Sequence, residues 1–461
     1  MTRPTVAQAE SWRPEALGEL ADAWYRLARD VFARVRAAAS ATPDGWHGEA
    51  ADAARTRLEA CRDDGEAVAR TLVLASAAAR DGAGQLTDAQ RQVTRWVGIA
   101  RGEGFHVTDQ GTVVASTQAD QVRADELSDA LTSALVALGE ADADAARDIA
   151  DAFVAAPPVP GGPFGEELAQ SRQDIAQAIL SEPLDDRASV ERMAFYHGLI
   201  SEVDDPAGSG ERVDRQIIAF DPDQQVLIEV NGDLRNASDV AVLVPGMNTT
   251  IEGSASNTVT ARQFVAGSEG EVAAITFLGG PFPQSGLLPL ALLKAAQPQY
   301  ALGMAPRLAL FSHRLERELA ELNRDVPVTV VGHSYGGSIL GTAEGAGLTA
   351  DRTVYVAAAG SGIDVDRPAE WNNANPDVRR FSMTAPGDPI GWVQGIPGGP
   401  HGADPDELPG VIHLGTGRYA DGRPMTGIAS HTDIINAVDS DSWRNILAII
   451  TGDDTRFARA R

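Results

Sequence analysis

A serine lies among closely spaced glycines in the segment VTVVGHSYGGSILGTAEGAG, residues 328–347. Residues 332–336, GHSYG, fit the pattern G-x-S-x-G, in which the serine is a nucleophile. The apolar, β-branched run before the pattern predicts a strand, and the small residues after it predict a helix. A tight turn between such elements raises the hydroxyl above the sheet, at a helix N-terminus that favours negative charge. We therefore predict Ser334 as a nucleophile, against the alternative of a glycine-rich turn with an incidental serine.

A serine hydroxyl is a weak nucleophile, so it needs a general base and a carboxylate that orients the base. After a strand–turn–helix of this type, the acid and then the histidine follow the serine along the chain. Of the eight histidines, only His401, His413 and His431 come after the turn. His413 falls within a predicted strand, whereas His431 lies between the last predicted strand and the final helix. We predict His431 as the base and keep His401 as the alternative.

The orienting acid is expected in a turn that follows a late strand. The segment RRFSMTAPGDPIGW, residues 379–392, has the pattern of a strand that ends in a turn containing Asp388. A Pro-Gly-Asp-Pro sequence also forms a turn without any catalytic role. We predict Asp388 as the acid, with Asp364 and Asp366, which follow the preceding strand, as the alternatives.

Backbone N–H groups must stabilise the oxyanion that forms when the serine attacks a carbonyl carbon. One donor is expected at Tyr335, directly after the nucleophile, and the other in the loop after the third strand of the domain. That loop lies in VAVLVPGMNTT, where Gly246 allows a tight turn. We predict the N–H of Met247 as the second donor, against the alternative of an ordinary strand-to-helix turn.

No metal ion or organic cofactor is predicted. The sequence contains no GxxxxGK phosphate loop, and GAG at 345–347 lacks the third glycine of a dinucleotide fingerprint. We interpret the residues around His401, Asp404 and Asp406 as a solvated acidic loop rather than a metal site. The single cysteine, Cys61, excludes an intrachain disulfide, and we interpret it as a small core residue of a helix.

Short apolar runs rich in β-branched residues dominate the chain from about residue 190 onward. Helical patterns, such as those at 299–324 and 433–450, separate several of them. Continuous apolar strands that alternate with helices predict a largely parallel sheet covered on both faces, and thus an α/β fold. The predicted strands are 216–220, 226–230, 240–246, 272–278, 328–332, 353–359, 379–385 and 411–415.

The first 155 residues are rich in Ala, Asp and Arg. Spacings of three and four residues predict one apolar stripe on a first helix. PDG at 43–45 ends that helix, and further helices are predicted over about 46–100 and up to about residue 153. Between these two, the alternation in FHVTDQGTVVAS at 105–116 predicts a small hairpin or an extended excursion. The stripe consists of Leu17, Leu20, Trp24, Leu27, Val31 and Val35.

These patterns divide the chain into three parts. Residues 1–155 are predicted to form an all-α helical bundle, and residues 190–461 an α/β domain. Between them, residues 156–189 are predicted to be a linker with a short helix over 166–181. The Pro- and Gly-rich segment AAPPVPGGPFG, residues 155–165, marks the boundary.

The charge balance excludes some classes of partner. Lys and Arg total 38 against 65 Asp and Glu, which gives a formal net charge of −27. So acidic a chain repels nucleic acid and anionic lipid, and neither is expected to bind. The sequence has no apolar run of about 18 residues and no apolar core of a cleavable signal peptide, so stable membrane insertion is not expected. We predict a cytoplasmic protein, or one exported without a cleavable signal by a type VII-like route.

The motifs resemble those of two known families. Residues 190–461, with VLVPGMNTT, VVGHSYGGSILG, TAPGDPIGW and ASHTDII, resemble the alpha/beta hydrolase domain of unknown function that is widespread in actinobacteria. That resemblance implies an alpha/beta hydrolase fold with Ser334 as nucleophile, Asp388 as acid and His431 as base. The N-terminal bundle is similar to the WXG-type helical hairpins exported by type VII secretion, with Trp-His-Gly at 46–48 between two helices.

Together these features predict a serine hydrolase of esterase or lipase type that acts on small-molecule carboxylic esters or thioesters through an acyl-enzyme. The apolar, proline-rich segment 279–300 is interpreted as the lining of an acyl pocket or a lid, or else as buried packing. The alternative function is a secretion-linked interaction or effector protein whose hydrolase fold is a scaffold. In that case a protein partner would bind through the N-terminal helices.

Overall fold

The computed structural model describes residues 3–41, 45–154, 161–284, 297–396 and 399–453, together with 455 and 457. The chain divides into two compact units. The helical unit comprises residues 1–158 and 172–202, and the sheet unit comprises 159–171 and 203–461. No helix in the described ranges is both long and apolar enough to cross a membrane.

The helical unit consists of helices and one small hairpin. Its elements are α1 Val6–Ser11, α2 Pro14–Ala39, α3 Glu49–Gly102, β1 His106–Val107, β2 Val113–Val114, a 3₁₀ turn Gln118–Asp120, α4 Gln121–Ala152 and α6 Arg187–Leu199. The helix α5 Gly165–Ser181 belongs in part to each unit. Strands β1 and β2 pair antiparallel, which confirms the predicted hairpin. The helices predicted at 46–100 and 166–181 are confirmed as α3 and α5.

Apolar side chains from α3 and α4 form the core of the helical unit. Their spacing along each helix places them on a single face, as burial against a neighbouring helix requires. Gly82 of α3 permits close packing, because a Cβ there would lie 2.6 Å from the Cβ of Ala145 on α4. The buried core residues include Leu86, Val93 and Val97 of α3 and Leu131, Leu135 and Leu138 of α4.

The apolar stripe predicted for the first helix is partly wrong. Leu20 and Leu27 are 41% and 48% exposed, whereas Ala21 and Ala28 of α2 are fully buried. Helix α2 packs along α3, and small side chains let two helix backbones approach more closely than leucines would. The remaining stripe residues Leu17, Trp24, Val31 and Val35 are half-buried.

Two further N-terminal expectations concern Cys61 and the segments between helices. Cys61 is exposed, so its interpretation as a core residue is wrong. It lies in the first half of α3, where no residue between Ala51 and Ala69 is fully buried. The predicted break at 43–45 falls largely on residues 42–44, and the first part of the predicted linker falls on 155–160; both stretches lie outside the described residues.

The sheet unit is built on one eight-stranded sheet, and each of the eight predicted apolar runs forms one of its strands. These strands are β5 Gln216–Asp221, β6 Val226–Asn231, β7 Asp239–Val244, β8 Val272–Gly279, β9 Val328–His333, β10 Arg352–Val356, β11 Arg379–Met383 and β12 Val411–His413. A two-stranded ribbon of β3 Glu202–Asp204 and β4 Arg212–Asp214 precedes them.

The strand order across the sheet is β12-β11-β10-β9-β7-β8-β6-β5. All neighbouring pairs are parallel except those of β6, which runs antiparallel to both β5 and β8. The predicted α/β class with a largely parallel sheet is therefore confirmed.

The parallel register brings the carboxyl ends of the central strands to one edge of the sheet. Val244 of β7 pairs with Gly332 of β9, and Val356 of β10 pairs with both His333 and Met383. The loops that follow β7, β9 and β11 therefore begin along the same edge, with the end of β10 between β9 and β11. These loops contain most of the residues that the sequence predicts for the site.

Helices cover both faces of the sheet. They are α7 Ala255–Gly267, α8 Gln299–Ala320, α9 Tyr335–Gly345, α10 Ser430–Asn436 and α11 Asp441–Ile450, with 3₁₀ turns at Pro368–Glu370 and Pro389–Trp392. On one face, Phe264 of α7 stacks on Trp443 of α11, in a cluster that includes Ala274 of β8. On the other face, Phe277 of β8 contacts Phe311 of α8. Positions 274 and 277 are an odd number of residues apart, so their side chains point to opposite faces.

The helical pattern at 433–450 forms two helices rather than one. Helix α10 ends at Asn436, and Asp439 adopts a positive φ of 65° before α11 begins. The hydroxyl of Ser440 accepts the N–H of Trp443 at 3.2 Å and so caps the second helix.

A buried carboxylate ties α9 to the sheet. The side chain of Glu344 is fully buried, and Arg380 of β11 donates to its Oε2 at 2.7 Å. The hydroxyls of Thr353 and Tyr355 on β10 donate to Oε1 at 3.1 and 2.8 Å. Because each oxygen has a partner, the charge is tolerated in the core.

Replacing Arg380 by methionine should lower the free energy of unfolding by about 3–5 kcal/mol, because the Glu344 carboxylate would be buried without a cation. In the control variant Arg367→Met, the lost arginine is 77% exposed and pairs with Glu370, so the urea midpoint should not move. Urea unfolding followed by tryptophan fluorescence measures both midpoints. Equal midpoints for the two variants would contradict the role assigned to the buried pair.

Candidate active site

Ser334 occupies a strained turn between β9 and α9. Its backbone has φ 57° and ψ −121°, a conformation that residues other than glycine rarely adopt. The serine is the residue just before α9, and only 7% of its surface is exposed. The predicted strand–turn–helix is therefore present at GHSYG, and its serine is presented at the carboxyl edge of the sheet.

The glycines around Ser334 are required by close backbone packing. A Cβ on Gly336 would lie 2.1 Å from the carbonyl oxygen of Val244, at the end of β7. A Cβ on Gly332 would lie 2.6 Å from the carbonyl oxygen of Gly336, and one on Gly337 would lie 2.3 Å from the Cβ of Ala358. These distances are too short for real Cβ atoms, so any larger residue would displace the turn.

The structure brings Ser334, His431 and Asp388 into one chain of hydrogen bonds. The Nε2 atom of His431 lies 2.9 Å from the Oγ of Ser334, and its Nδ1 atom lies 3.0 Å from each carboxylate oxygen of Asp388. A carboxylate only accepts hydrogen bonds, so Nδ1 carries the hydrogen in the neutral ring. The lone pair of Nε2 then faces the serine hydroxyl, as a general base requires.

Two neighbouring loops hold the predicted acid and the predicted base. The carboxylate of Asp388 is fully buried and also accepts the backbone N–H of Ile390 at 2.9 Å. The N–H of Gly427, four residues before His431, donates to the carbonyl of Pro386 at 2.9 Å. This backbone contact joins the loop after β11 to the loop before α10 and so holds the two residues near each other.

The alternative candidates occupy other positions. His401 is buried, and its Nδ1 atom lies 2.8 Å from the hydroxyl of Ser338, one turn further along α9 than the nucleophile candidate. Asp364 and Asp366 are exposed in the loop after β10. Among the predicted bases and acids, His431 and Asp388 are within hydrogen-bond distance of each other.

His413 and Asp406 form a separate pair. The Nδ1 atom of His413, on the edge strand β12, lies 3.1 Å from the Oδ1 of Asp406, and this contact raises the pKa of the histidine. Burial raises the pKa of the nearby Asp404. Within the part of the chain that the structure describes, no three His, Cys, Asp or Glu side chains are grouped to hold a metal ion.

The loop after β7 lies directly against the serine. A Cβ on Gly246 would be 2.8 Å from the Cβ of Ser334 and 3.2 Å from its Oγ, so the backbone leading into Met247 passes beside the hydroxyl. Tyr335 is the first residue of α9, and a first helical N–H has no carbonyl partner within the helix. Both predicted donors therefore belong to backbone that adjoins the serine.

The side chain of Tyr335 is not one of the predicted donors. It holds the start of α8 in place. Its hydroxyl donates to the carbonyl of Gln297 at 2.5 Å and accepts the N–H of Ala301 at 3.2 Å. Burial raises the pKa of the phenol, so the ring stays neutral. The segment predicted to line a pocket or form a lid, 279–300, falls mostly on 285–296, which lie outside the described residues.

His333 makes a contact with His431 that the sequence did not predict. Its Nε2 atom lies 2.7 Å from the backbone carbonyl oxygen of His431, and the two rings are 5.2 Å apart between centroids. Burial of the ring, with the nearby His431 imidazole, lowers the pKa of His333 to about 4. The sequence offers no signal for this contact, because the acceptor is a main-chain atom 98 residues away.

Comparison with known proteins supports the architecture of the sheet unit. Residues 221–396, which include Ser334 and Asp388, match a family described as alpha/beta hydrolase. Uncharacterised proteins of Mycobacterium bovis and Mycobacterium tuberculosis are each 34% identical to the chain over 131 residues. That region is 27% of this chain and spans only 40% of each relative.

Among solved structures, an esterase of Pyrobaculum calidifontis is 11% identical to the chain, with a TM-score of 0.24. The superposition covers 62% of this chain and 90% of the esterase. The family match and the eight-stranded, mostly parallel sheet confirm the alpha/beta hydrolase fold that the sequence predicted. The resemblance of the N-terminal helices to WXG-type hairpins stays a prediction.

Gly336→Ala should destabilise the protein by about 1–3 kcal/mol, because the added methyl group overlaps the carbonyl oxygen of Val244. The matched control is Gly345→Ala, at the other end of α9, where a Cβ would lie 3.7 Å from the carbonyl oxygen of Glu370. That variant should be neutral or slightly more stable, since alanine favours a helix over glycine. Urea unfolding compares them, and a similar loss in both would contradict the steric account of the turn.

Proposed function

We propose that the sheet unit is a serine hydrolase that cleaves carboxylic esters or thioesters through an acyl-enzyme. The observation that carries this proposal is the chain of contacts from Ser334 Oγ to His431 Nε2 at 2.9 Å, and from His431 Nδ1 to Asp388 at 3.0 Å. Nucleophile, base and orienting acid are thus already at reacting distances from one another.

In the first step, Oγ of Ser334 attacks the acyl carbon while its proton passes to Nε2 of His431. The π electrons of the carbonyl move onto its oxygen, which becomes the oxyanion. Asp388 keeps the imidazole in the tautomer whose Nε2 can accept that proton, and it stabilises the imidazolium that results. The buried carboxylate and its bond from the Ile390 N–H hold this orientation.

The N–H groups of Tyr335 and Met247 are proposed to donate to the oxyanion. Both residues adjoin Ser334, one on the first turn of α9 and one on the loop after β7, which is where donors to such an oxygen are needed. When the oxyanion collapses, the bond to the alcohol or thiol breaks and the leaving group takes the proton from His431. Water then attacks the acyl-enzyme with His431 as base, which releases the carboxylic acid and restores Ser334.

Exposed apolar side chains next to the acid and the base favour an apolar acyl group. Trp392, four residues after Asp388, is 75% exposed, and Ile428, three residues before His431, is 71% exposed. Large exposed apolar side chains on the segments that carry the proposed acid and base are suited to a surface that binds a hydrophobic substrate. The net charge of −27 disfavours anionic substrates, so a neutral ester with an alkyl chain fits best.

A second candidate role concerns the helical unit. Leu20 and Leu27 lie seven residues apart on α2 and are exposed, and Trp46 of the Trp-His-Gly sequence is 41% exposed between α2 and α3. An exposed apolar stripe on a helix is suited to a partner helix. We propose protein binding through α2 as the alternative function, with or without export by a type VII-like route.

Ser334→Ala should reduce kcat/KM for a soluble ester by at least about 10⁴-fold, and His431→Gln and Asp388→Asn by a similar order, because each removes a member of the triad. The matched controls are Ser338→Ala and His401→Gln. Each removes the contact between Ser338 of α9 and His401. Both controls should retain activity within about tenfold, as expected of a structural hydrogen bond. Hydrolysis of p-nitrophenyl acetate and labelling by a fluorophosphonate probe measure the effects.

Three results would decide against this assignment. Ester hydrolysis that Ser334→Ala retains would remove the proposed nucleophile, and loss of activity in His401→Gln with none in His431→Gln would exchange the base. Absence of hydrolysis and labelling in the folded wild type would favour the scaffold role and its protein partner.

Trp392→Ala and Ile428→Asn should raise KM for an octanoyl ester by about tenfold, equivalent to about 1.4 kcal/mol of lost apolar contact. The same variants should leave KM for the acetyl ester within about twofold, since a short acyl group cannot reach both side chains. Leu310→Asn is the control, because Leu310 is a 72% exposed leucine on α8, outside the acid and base loops. An equal change for both acyl lengths would contradict the proposed acyl surface.

A further inference from the structure

Two histidines that lie far apart in the chain meet beside the serine. His333 ends β9 and directly precedes Ser334, whereas His431 is the second residue of α10. The Nε2 atom of His333 lies 2.7 Å from the main-chain carbonyl oxygen of His431, a short and well-formed hydrogen-bond distance. The contact therefore joins the residue next to the nucleophile candidate with the main chain of the base candidate.

The chemistry of the contact fixes the state of the His333 ring. A carbonyl oxygen can only accept, so Nε2 of His333 carries the hydrogen and donates it. The groups that act on this ring electrostatically are the His431 imidazole and the Asp388 carboxylate. Burial and the His431 ring lower the pKa of His333 to about 4, so His333 is uncharged when His431 becomes an imidazolium. A neutral donor holds the base without repelling the charge that forms on it.

The contact completes a closed loop around the reacting atoms. The loop runs from Ser334 through its peptide bond to His333, across the hydrogen bond to the carbonyl of His431, and through the His431 ring back to the serine hydroxyl. Asp388 fixes the direction of the His431 ring, but the position of the His431 backbone depends on its own tethers. Short-range bonds, such as that from the His431 N–H to the Ile428 carbonyl at 3.3 Å, shape the turn itself, whereas the His333 bond ties that turn to the end of β9.

We infer that His333 is a positioning residue for the hydrolysis proposed above: its Nε2–H holds the His431 backbone so that Nε2 of His431 stays at reacting distance from Ser334. The inference rests on the proposed function, because the distance matters only if His431 is the base. Misplacement of a catalytic group by about 1 Å can cost about 10²-fold in rate. His333 thus acts through His431 and does not touch the substrate.

The test compares two replacements of His333 in the full-length protein. His333→Gln keeps an N–H donor close to the position of Nε2, whereas His333→Met keeps similar volume without a donor. We expect His333→Met to lower kcat for p-nitrophenyl acetate by about 10- to 100-fold with KM unchanged within about twofold. His333→Gln should restore kcat to within about threefold of the wild type. A role in packing alone would not separate kcat from KM or distinguish the two variants.

Undiminished kcat in His333→Met, or an equal loss in both variants, would overturn the inference while leaving the proposed function intact. Lack of turnover by the wild type overturns the proposed function itself. A measurement independent of activity is the ¹H–¹⁵N spectrum of protein labelled with ¹⁵N-histidine, with His333→Gln used for assignment. It should show His333 as the neutral tautomer with hydrogen on Nε2 at pH 5, and a protonated or Nδ1–H ring at that pH would also overturn the inference.

Discussion

The close packing of β7 against the first turn of α9 is the constraint on which the site depends. No side chain fits where Gly336 meets the end of β7, and the serine two residues earlier is held at a positive φ. Such a conformation costs about 1–3 kcal/mol and persists only where the surroundings impose it. Here the sheet imposes it: the Ser334 N–H donates to the Val356 carbonyl at 3.0 Å, and the Ser334 carbonyl accepts the Ala359 N–H at 2.9 Å. Those bonds come from the last residue of β10 and from the loop that follows it.

The rest of the site follows from this turn and from the parallel register. Parallel strands end at one edge, so residues separated by 97 positions, such as Ser334 and His431, can meet there. The acid and base loops are then linked to each other through backbone groups at Pro386 and Gly427. Main-chain contacts therefore contribute to the placement of Ser334, Asp388 and His431 relative to one another.

Much of this arrangement was predictable from local sequence. Buried strands of a parallel sheet are continuous apolar runs, and so all eight were recognisable. The turn was recognisable because only glycine tolerates such close backbone contacts at positions 332 and 336. Asp388 and His431 could be chosen from chain order and from their places after late strands, and the structure brings these two to Ser334.

Other features were not predictable because they depend on tertiary contacts. The inward face of α2 is set by how closely α3 approaches, which favours Ala21 and Ala28 over the larger leucines that periodicity selected. Cys61 is exposed because its part of α3 has few buried neighbours, a fact that its residue type does not reveal. His333 contacts a backbone carbonyl oxygen. Because every residue type has such an oxygen, the sequence does not indicate which one His333 will contact.

The most direct test of the central claim is to map a fluorophosphonate adduct on the native protein by intact mass and tandem mass spectrometry. The account predicts one adduct per chain, on the peptide that contains Ser334, formed faster than on any other serine and absent after unfolding in urea. An adduct on a different residue of the folded protein, or none under conditions in which a known serine esterase is fully labelled, would contradict it.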